Sequence, residues 1–249
     1  MKQKLYRVAA HASVRCRTLP LPFAPLGVLA FWVGLFGAAR RYPSEYDWRY
    51  MTISSLVYPE RNPGGYWWAW GGVALCGLGG LTWAVMLARH WRQRHRAPPP
   101  LGIRILGLGY ASMVACAALS TPLLRVPKGH DLLALIAFVA LCIGTVQLTF
   151  LAIDRGLRRR AERLRARHGN RHRVYAGILA GAALLPIVLA GITQAYVSHA
   201  LPQLPWVGLE WRVRGVSMYL SFAFWEWATC VVLSAYTLGL ALFGLGPPK

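Results

Sequence analysis

The sequence predicts an all-α polytopic membrane protein, a bundle of six transmembrane helices with both the N-terminus and the C-terminus cytoplasmic, and three observations predict it. Of its 249 residues 56% are hydrophobic and only 14% are charged, where a soluble domain carries nearer a quarter charged residues. The apolar residues fall into six runs, at 21–40, 66–89, 101–124, 131–153, 174–197 and 214–245, each long enough as a helix for about 30 Å of hydrocarbon. Lys and Arg lie between those runs and are unevenly shared between alternate sides. Residues 1–249 therefore read as a single six-helix transmembrane domain, with no linker or repeat long enough to divide it.

The first run follows a basic arm. Gly37-Ala38-Ala39 offers small residues for signal cleavage, but an apolar stretch holding Trp32 and Phe36 is longer than a signal core and reads as an uncleaved helix. In the second run Trp67, Trp68 and Trp70 at one end and Trp91 at the other read as interfacial anchors. Pro98-Pro99-Pro100 closes the short turn into the third run. Small residues four apart, Gly34 and Ala38, Gly72 with Cys76 and Gly80, and Gly177 with Gly181, predict close helix approach in the first, second and fifth runs.

Orientation follows from the cations. One side holds 20 of the 28 Lys and Arg, including nine arginines between Arg155 and Arg173; the other holds 8. The positive-inside rule makes the first set cytoplasmic. Arg158, Arg159, Arg160, Arg163, Arg165 and Arg167 have the propensity and charge of a helical extension lying on anionic lipid headgroups, so the net charge of +20 signals topology and not nucleic-acid binding.

Polar residues gather on the opposite, outer side. The longest connection there, Pro43 to Gly65, mixes Glu45, Asp47, Arg49, Ser54, Glu60 and Arg61 with aromatics and turn formers, which predicts a loop folded over the bundle. His130 and Asp131, where the fourth helix starts, either cap that helix or complete a polar pocket with the loop. Glu226, next to Trp227 and about ten to thirteen residues into a span starting at 214, is placed roughly 15–20 Å from the outer end, near the bilayer midplane. An acid there costs at least about 2.5 kcal/mol and should be paired, protonated or exposed to an aqueous cavity. Tyr219, Glu226, Thr229, Cys230, Ser234 and Thr237 share one broad helical side, the inward face.

Cys16, Cys76, Cys116, Cys142 and Cys230 form no CxxC pair, and four of them sit in apolar runs as small hydrophobes. The sequence has no HExxH, GxSxG or Walker loop and no evident haem or metal set, so no cofactor is expected.

The run from Tyr46 to Leu56 followed by Pro63, His130 at the fourth helix, and Glu226-Trp227 in the sixth resemble the DRAM-like six-span superfamily, which groups autophagy modulators, factors that remodel the lipid of GPI anchors, and bacterial membrane proteins of unknown function. The resemblance implies a six-helix bundle with cytoplasmic ends and carries the family's motifs onto Ile53-Ser54, His130 and Glu226-Trp227. It departs after Ser54, where Ser55-Leu56-Val57-Tyr58 replaces the family's small acidic or glycine-containing run.

Three functions compete. The first is a protein that binds or remodels membrane lipid, its outward pocket holding a headgroup near Arg49, Ser54, His130, Glu226 and Trp227. The second is an acyl hydrolase or transferase in which His130, oriented by Asp47 or Asp131, acts as base while Ser54 or water attacks an ester. In the third, Glu226 carries a proton or cation across the membrane. Arginine bias and short loops point to a bacterial inner membrane; the sequence leaves oligomeric state open.

Overall fold

The computed structural model describes residues 22–121, 127–163, 171–200 and 209–244, and among them there are helices and turns but no strand. The helices are α1 (Phe23–Ala39), α2 (Ile53–Val57), α3 (Tyr66–His95), α4 (Leu101–Leu119), α5 (Pro127–Arg163), α6 (Arg171–Gly181), α7 (Leu185–Ala200), α8 (Glu210–Val213) and α9 (Phe222–Gly239). A 3-10 turn, Ala182–Leu184, joins α6 to α7 just before Pro186, whose missing N–H loosens the helical ladder there.

Five stretches are long and apolar enough to cross a membrane: Tyr66–Arg94, Leu101–Leu119, Gly129–Asp154, Val174–Ala200 and Phe222–Leu242. The chain is therefore a multi-pass helical membrane protein. The first run forms the shorter α1, 17 residues, with a rise of about 26 Å. This helix is apolar on both sides: Val28, Phe31 and Leu35 are buried, while Leu26, Leu29, Val33 and Phe36 face outward, as lipid contact requires.

The spans close into a ring, α1 against α3, α3 against α4, α4 against α5, α5 against α6, α7 against α9, and α9 back against α1 and α5. The closest approach is at Gly34 and Gly72. A Cβ on Gly34 would lie 2.7 Å from the Cα of Gly72 and 2.5 Å from the Trp68 carbonyl, so the expected small-residue contact is made between α1 and α3. The matching expectation for Gly177 and Gly181 fails: nothing lies within 4 Å of a Cβ built at either, and Gly177 borders a cleft that separates it from Leu101 and Gly102 of α4 and from Gln147 and Phe150 of α5. Trp70 also departs from its expected anchor role, turning inward to donate its Nε1–H to the Ala117 carbonyl at 2.8 Å.

The last span begins at Phe222 and not at 214. Gly215 is left-handed (φ +69°), and a 3-10 turn, Met218–Leu220, follows, so residues 214–221 form a connection in spite of their apolar composition. Glu226 is thus the fifth residue of α9, about 6 Å along its axis, near the end that carries the first connection instead of halfway down. Tyr219 falls outside the helix and is exposed, whereas Thr229, Cys230 and Thr237 of the expected inward stripe are buried.

α5 starts at Pro127 and stays helical through Arg163, as the extension carrying Arg158, Arg159, Arg160 and Arg163 anticipates; their side chains, the arginines at 165 and 167, the N-terminal arm and Lys249 lie outside the described residues.

Candidate functional site

The first connection is folded over one end of the ring. Ile53, Leu56 and Val57 of α2 join the core with Leu35, Ala38 and Trp227. Asn62, fully buried, donates through Nδ2 to the carbonyls of Ala38 (3.1 Å) and Leu56 (3.3 Å), tying the loop to the last turn of α1. Tyr46 Oη donates to the carbonyls of Met51 (2.9 Å) and Thr52 (3.0 Å); burial, reinforced by Glu226 nearby, holds its phenol well above the usual tyrosine range. Trp227 Nε1 donates to the same Met51 carbonyl at 3.2 Å, so Trp227 positions the loop.

Beneath the loop lies a cavity, open in part to the outside, lined from α1, α2, α3, α4, α5 and α9. The fifth span, α6–α7, contributes no lining residue among those described and packs outside against α5 and α9. Ser54, Ser120, His130 and Glu226 form the loop end of the cavity, and Phe31, Val73, Met113, Phe138, Leu141 and Leu233 form its apolar middle. Tyr110 and Thr237 meet at the far end, Oη to Oγ1 at 3.5 Å. From Glu226 to Thr237 α9 rises about 16 Å, the reach of roughly a dozen methylene groups.

Glu226 Oε2 accepts the backbone N–H of Ile53 at 3.0 Å, the first residue of α2, whose helix-initiating N–H has no intrahelical partner. Its other oxygen makes no hydrogen bond to a described residue, and Glu226 lines the cavity. The carboxyl therefore does two things: it fixes the loop and presents an oxygen to the space below.

His130, from the first turns of α5, is buried between α4 and the loop. Its Nδ1 is 2.6 Å from Ser120 Oγ and 3.2 Å from Cys116 Sγ, and its ring lies 4.9 Å from that of Tyr58. Ser120 Oγ also lies 2.8 Å from the Cys116 carbonyl; with its hydroxyl hydrogen on that carbonyl, Nδ1 carries the His130 proton and Nε2 is left as an acceptor.

The remaining sequence-predicted residues divide. Ser54 shares the cavity with His130 and Glu226, and its hydroxyl pairs with Thr52 Oγ1 at 2.8 Å. Asp131 neither caps α5 nor orients His130; it lies on the exposed side and accepts the Tyr58 hydroxyl at 3.1 Å. Burial, then Asp131, raises the Tyr58 phenol above its ordinary range.

Arg49 does not reach the cavity, because Asp47, two residues away, takes its guanidinium at 2.8 Å through both Nε and Nη2. That bond holds the Asp47 carboxyl below its usual value against the opposing effect of burial. Arg212 joins them, 3.4 Å from Asp47 and 3.2 Å from Glu45, so this ion cluster fastens the first connection to the segment before α9. Tyr50 Oη, donating to the Val216 carbonyl at 2.8 Å, makes a second fastening.

Cys116, Ser120, Tyr58 and Asn62 belong to the site and were not singled out from sequence. Cys116 and Ser120 stand four apart across the C-terminal end of α4, where Ser120 is the capping residue, a polar pair on one face, which is the available signal. The other buried cysteines, Cys76, Cys142 and Cys230, are free thiols, and no group of three or more metal-ligating side chains occurs among the described residues. Comparison with family models, with characterised proteins and with solved structures finds no match to the chain.

Proposed function

We propose that this multi-pass membrane protein crosses the membrane six times, turns its first connection outward, and holds a lipid in the cavity beneath it, the acyl chain in the apolar middle and the head beside Ser54, His130 and Glu226. The observation that carries the reading is the arrangement of the cavity: Ser54, Ser120, His130 and Glu226 converge at the loop end, Phe31, Met113, Phe138 and Leu141 line the middle, and the hydroxyls of Tyr110, Thr145, Ser234 and Thr237 lie beyond, the pattern of a site for an amphiphile. The DRAM-like resemblance supports the same reading, since Ile53-Ser54, His130 and Glu226, scattered along the sequence, meet at one end of the cavity.

A hydrolase reading gains less, because Asp131 is engaged by Tyr58 and Asp47 by Arg49 and Arg212. Transport gains less as well, because Glu226 sits near one end of its helix and bonds to Ile53. Orientation rests on the arginine distribution, and a bacterial inner membrane on composition.

Lipid analysis of the purified protein tests the binding reading. Wild type should carry a lipid class enriched over the surrounding membrane, and Ala137→Trp, which fills the cavity, should lose it while remaining folded. A lipid profile identical to bulk membrane in wild type would overturn the proposal. Impermeant thiol labelling of intact cells tests orientation: a cysteine at 49 should react from outside and one at 165 should not.

A further inference from the structure

The chemistry at the loop end of the cavity narrows what kind of head it accepts, an inference that rests on the lipid reading above. Glu226 offers an oxygen without a described hydrogen-bond partner, His130 offers Nε2, an acceptor when Nδ1 carries the proton, and Ser54 offers a hydroxyl; all three line the cavity, and no described Lys or Arg does. Three described cations of this end are engaged elsewhere: Arg49 with Asp47, Arg212 with Glu45 and Asp47, and Arg61 with Ser55 Oγ at 3.4 Å and with its guanidinium over the Tyr58 ring.

We propose that this end receives the uncharged, hydroxyl-bearing head of an apolar-chain amphiphile and discriminates against a phosphate-bearing head, because Glu226, His130 and Ser54 together present hydrogen-bonding groups with no countercharge among the described residues. The preference holds for either protonation state of Glu226. An ionised carboxylate repels a phosphate, and a neutral one, although it can donate one hydrogen bond, supplies no positive charge to balance a buried phosphate. A hydroxyl, donor and acceptor at once, satisfies both states and can donate to His130 Nε2 as well.

Two probes with the same oleoyl chain isolate the head: monooleoylglycerol and oleoyl lysophosphatidate, each titrated into the purified full-length protein in non-ionic detergent and read by native mass spectrometry. The glycerol head should bind about tenfold more tightly, equivalent to about 1.4 kcal/mol. Equal binding, or preference for the phosphate, would overturn the inference while leaving the lipid reading intact; failure of both probes to bind would overturn both. Ala137→Trp should weaken both probes about tenfold if they occupy the cavity, and unchanged binding would place them elsewhere and overturn the inference. Ser54→Lys, supplying the missing cation at the head, should move the preference about tenfold toward lysophosphatidate; no movement in a variant that retains its lipid binding would show that the head does not sit there.

Discussion

Glu226 accepts the backbone N–H of Ile53 at 3.0 Å across 173 residues of sequence, joining the last transmembrane helix to the first turn of the helix in the first connection. The bond explains how an acidic residue is accommodated in a membrane-spanning helix. It lies near the end of α9, under a folded loop, and is engaged with a backbone donor that would otherwise be unsatisfied.

Glu226→Gln should therefore be tolerated, since the amide oxygen still accepts from Ile53, with a loss of less than about 1 kcal/mol. Glu226→Ala should cost about 1–3 kcal/mol by leaving the Ile53 N–H buried and unpaired. Thermal unfolding of the two purified variants side by side checks this, and equal loss in both would show that the carboxyl charge, and not the bond to Ile53, holds the loop.

Asn62 is the second tether, giving both hydrogens of its amide to carbonyls at the end of α1 and in α2. Asn62→Ala should destabilise by about 2 kcal/mol, and Asn62→Asp by more, because a carboxylate would face two carbonyl oxygens. Proteolysis within residues 40–65 should rise in the same order while the helical content stays constant.

The six apolar runs were legible because nothing else in a sequence resembles 20 consecutive apolar residues, and all six contain helix in the structure. The start of the last span was not, because Val216, Met218, Tyr219 and Leu220 are as apolar as the helix they precede, and only Gly215 marks the break. Ser54, His130 and Glu226 were found by residue type at unusual positions; their convergence in one cavity depends on α2, α5 and α9 meeting, which no local pattern encodes. Arg49, expected near the headgroup, pairs instead with Asp47 two residues away, since charge balance within a loop is set by side-chain geometry and not by spacing alone. Cys116 and Ser120 were hidden by the apolarity of their own run.

Acid should release the first connection. Arg49 holds the Asp47 carboxyl below its usual value near 3.8, so Asp47 contributes stability that is fully present above that value and is lost as pH falls through the depressed value in the folded protein, below about pH 4. Trp48, stacked on Phe224 with ring centroids 5.8 Å apart, reports the change. Its fluorescence should shift in that window in wild type, and Asp47→Asn should remove the acid step. A step unchanged in Asp47→Asn would assign it to another group.

Two glycine pairs with the same spacing logic should respond oppositely to alanine. At Gly34 the added methyl would lie 2.5 Å from the Trp68 carbonyl and 2.7 Å from the Gly72 Cα, backbone atoms that cannot rotate away, so Gly34→Ala must push α1 from α3 and should cost about 1–3 kcal/mol. At Gly177 nothing lies within 4 Å; Gly177→Ala should be neutral or stabilise by about 0.5–1 kcal/mol through the lower backbone entropy of the unfolded chain. Because α1 also lines the cavity through Val28 and Phe31, its displacement in Gly34→Ala should weaken lipid retention as well as stability. The Gly177 variant should retain lipid as wild type does. If Gly177→Ala instead destabilised the protein or disrupted a higher-order species on a sizing column, the open face of α6 would be a packing surface against another chain.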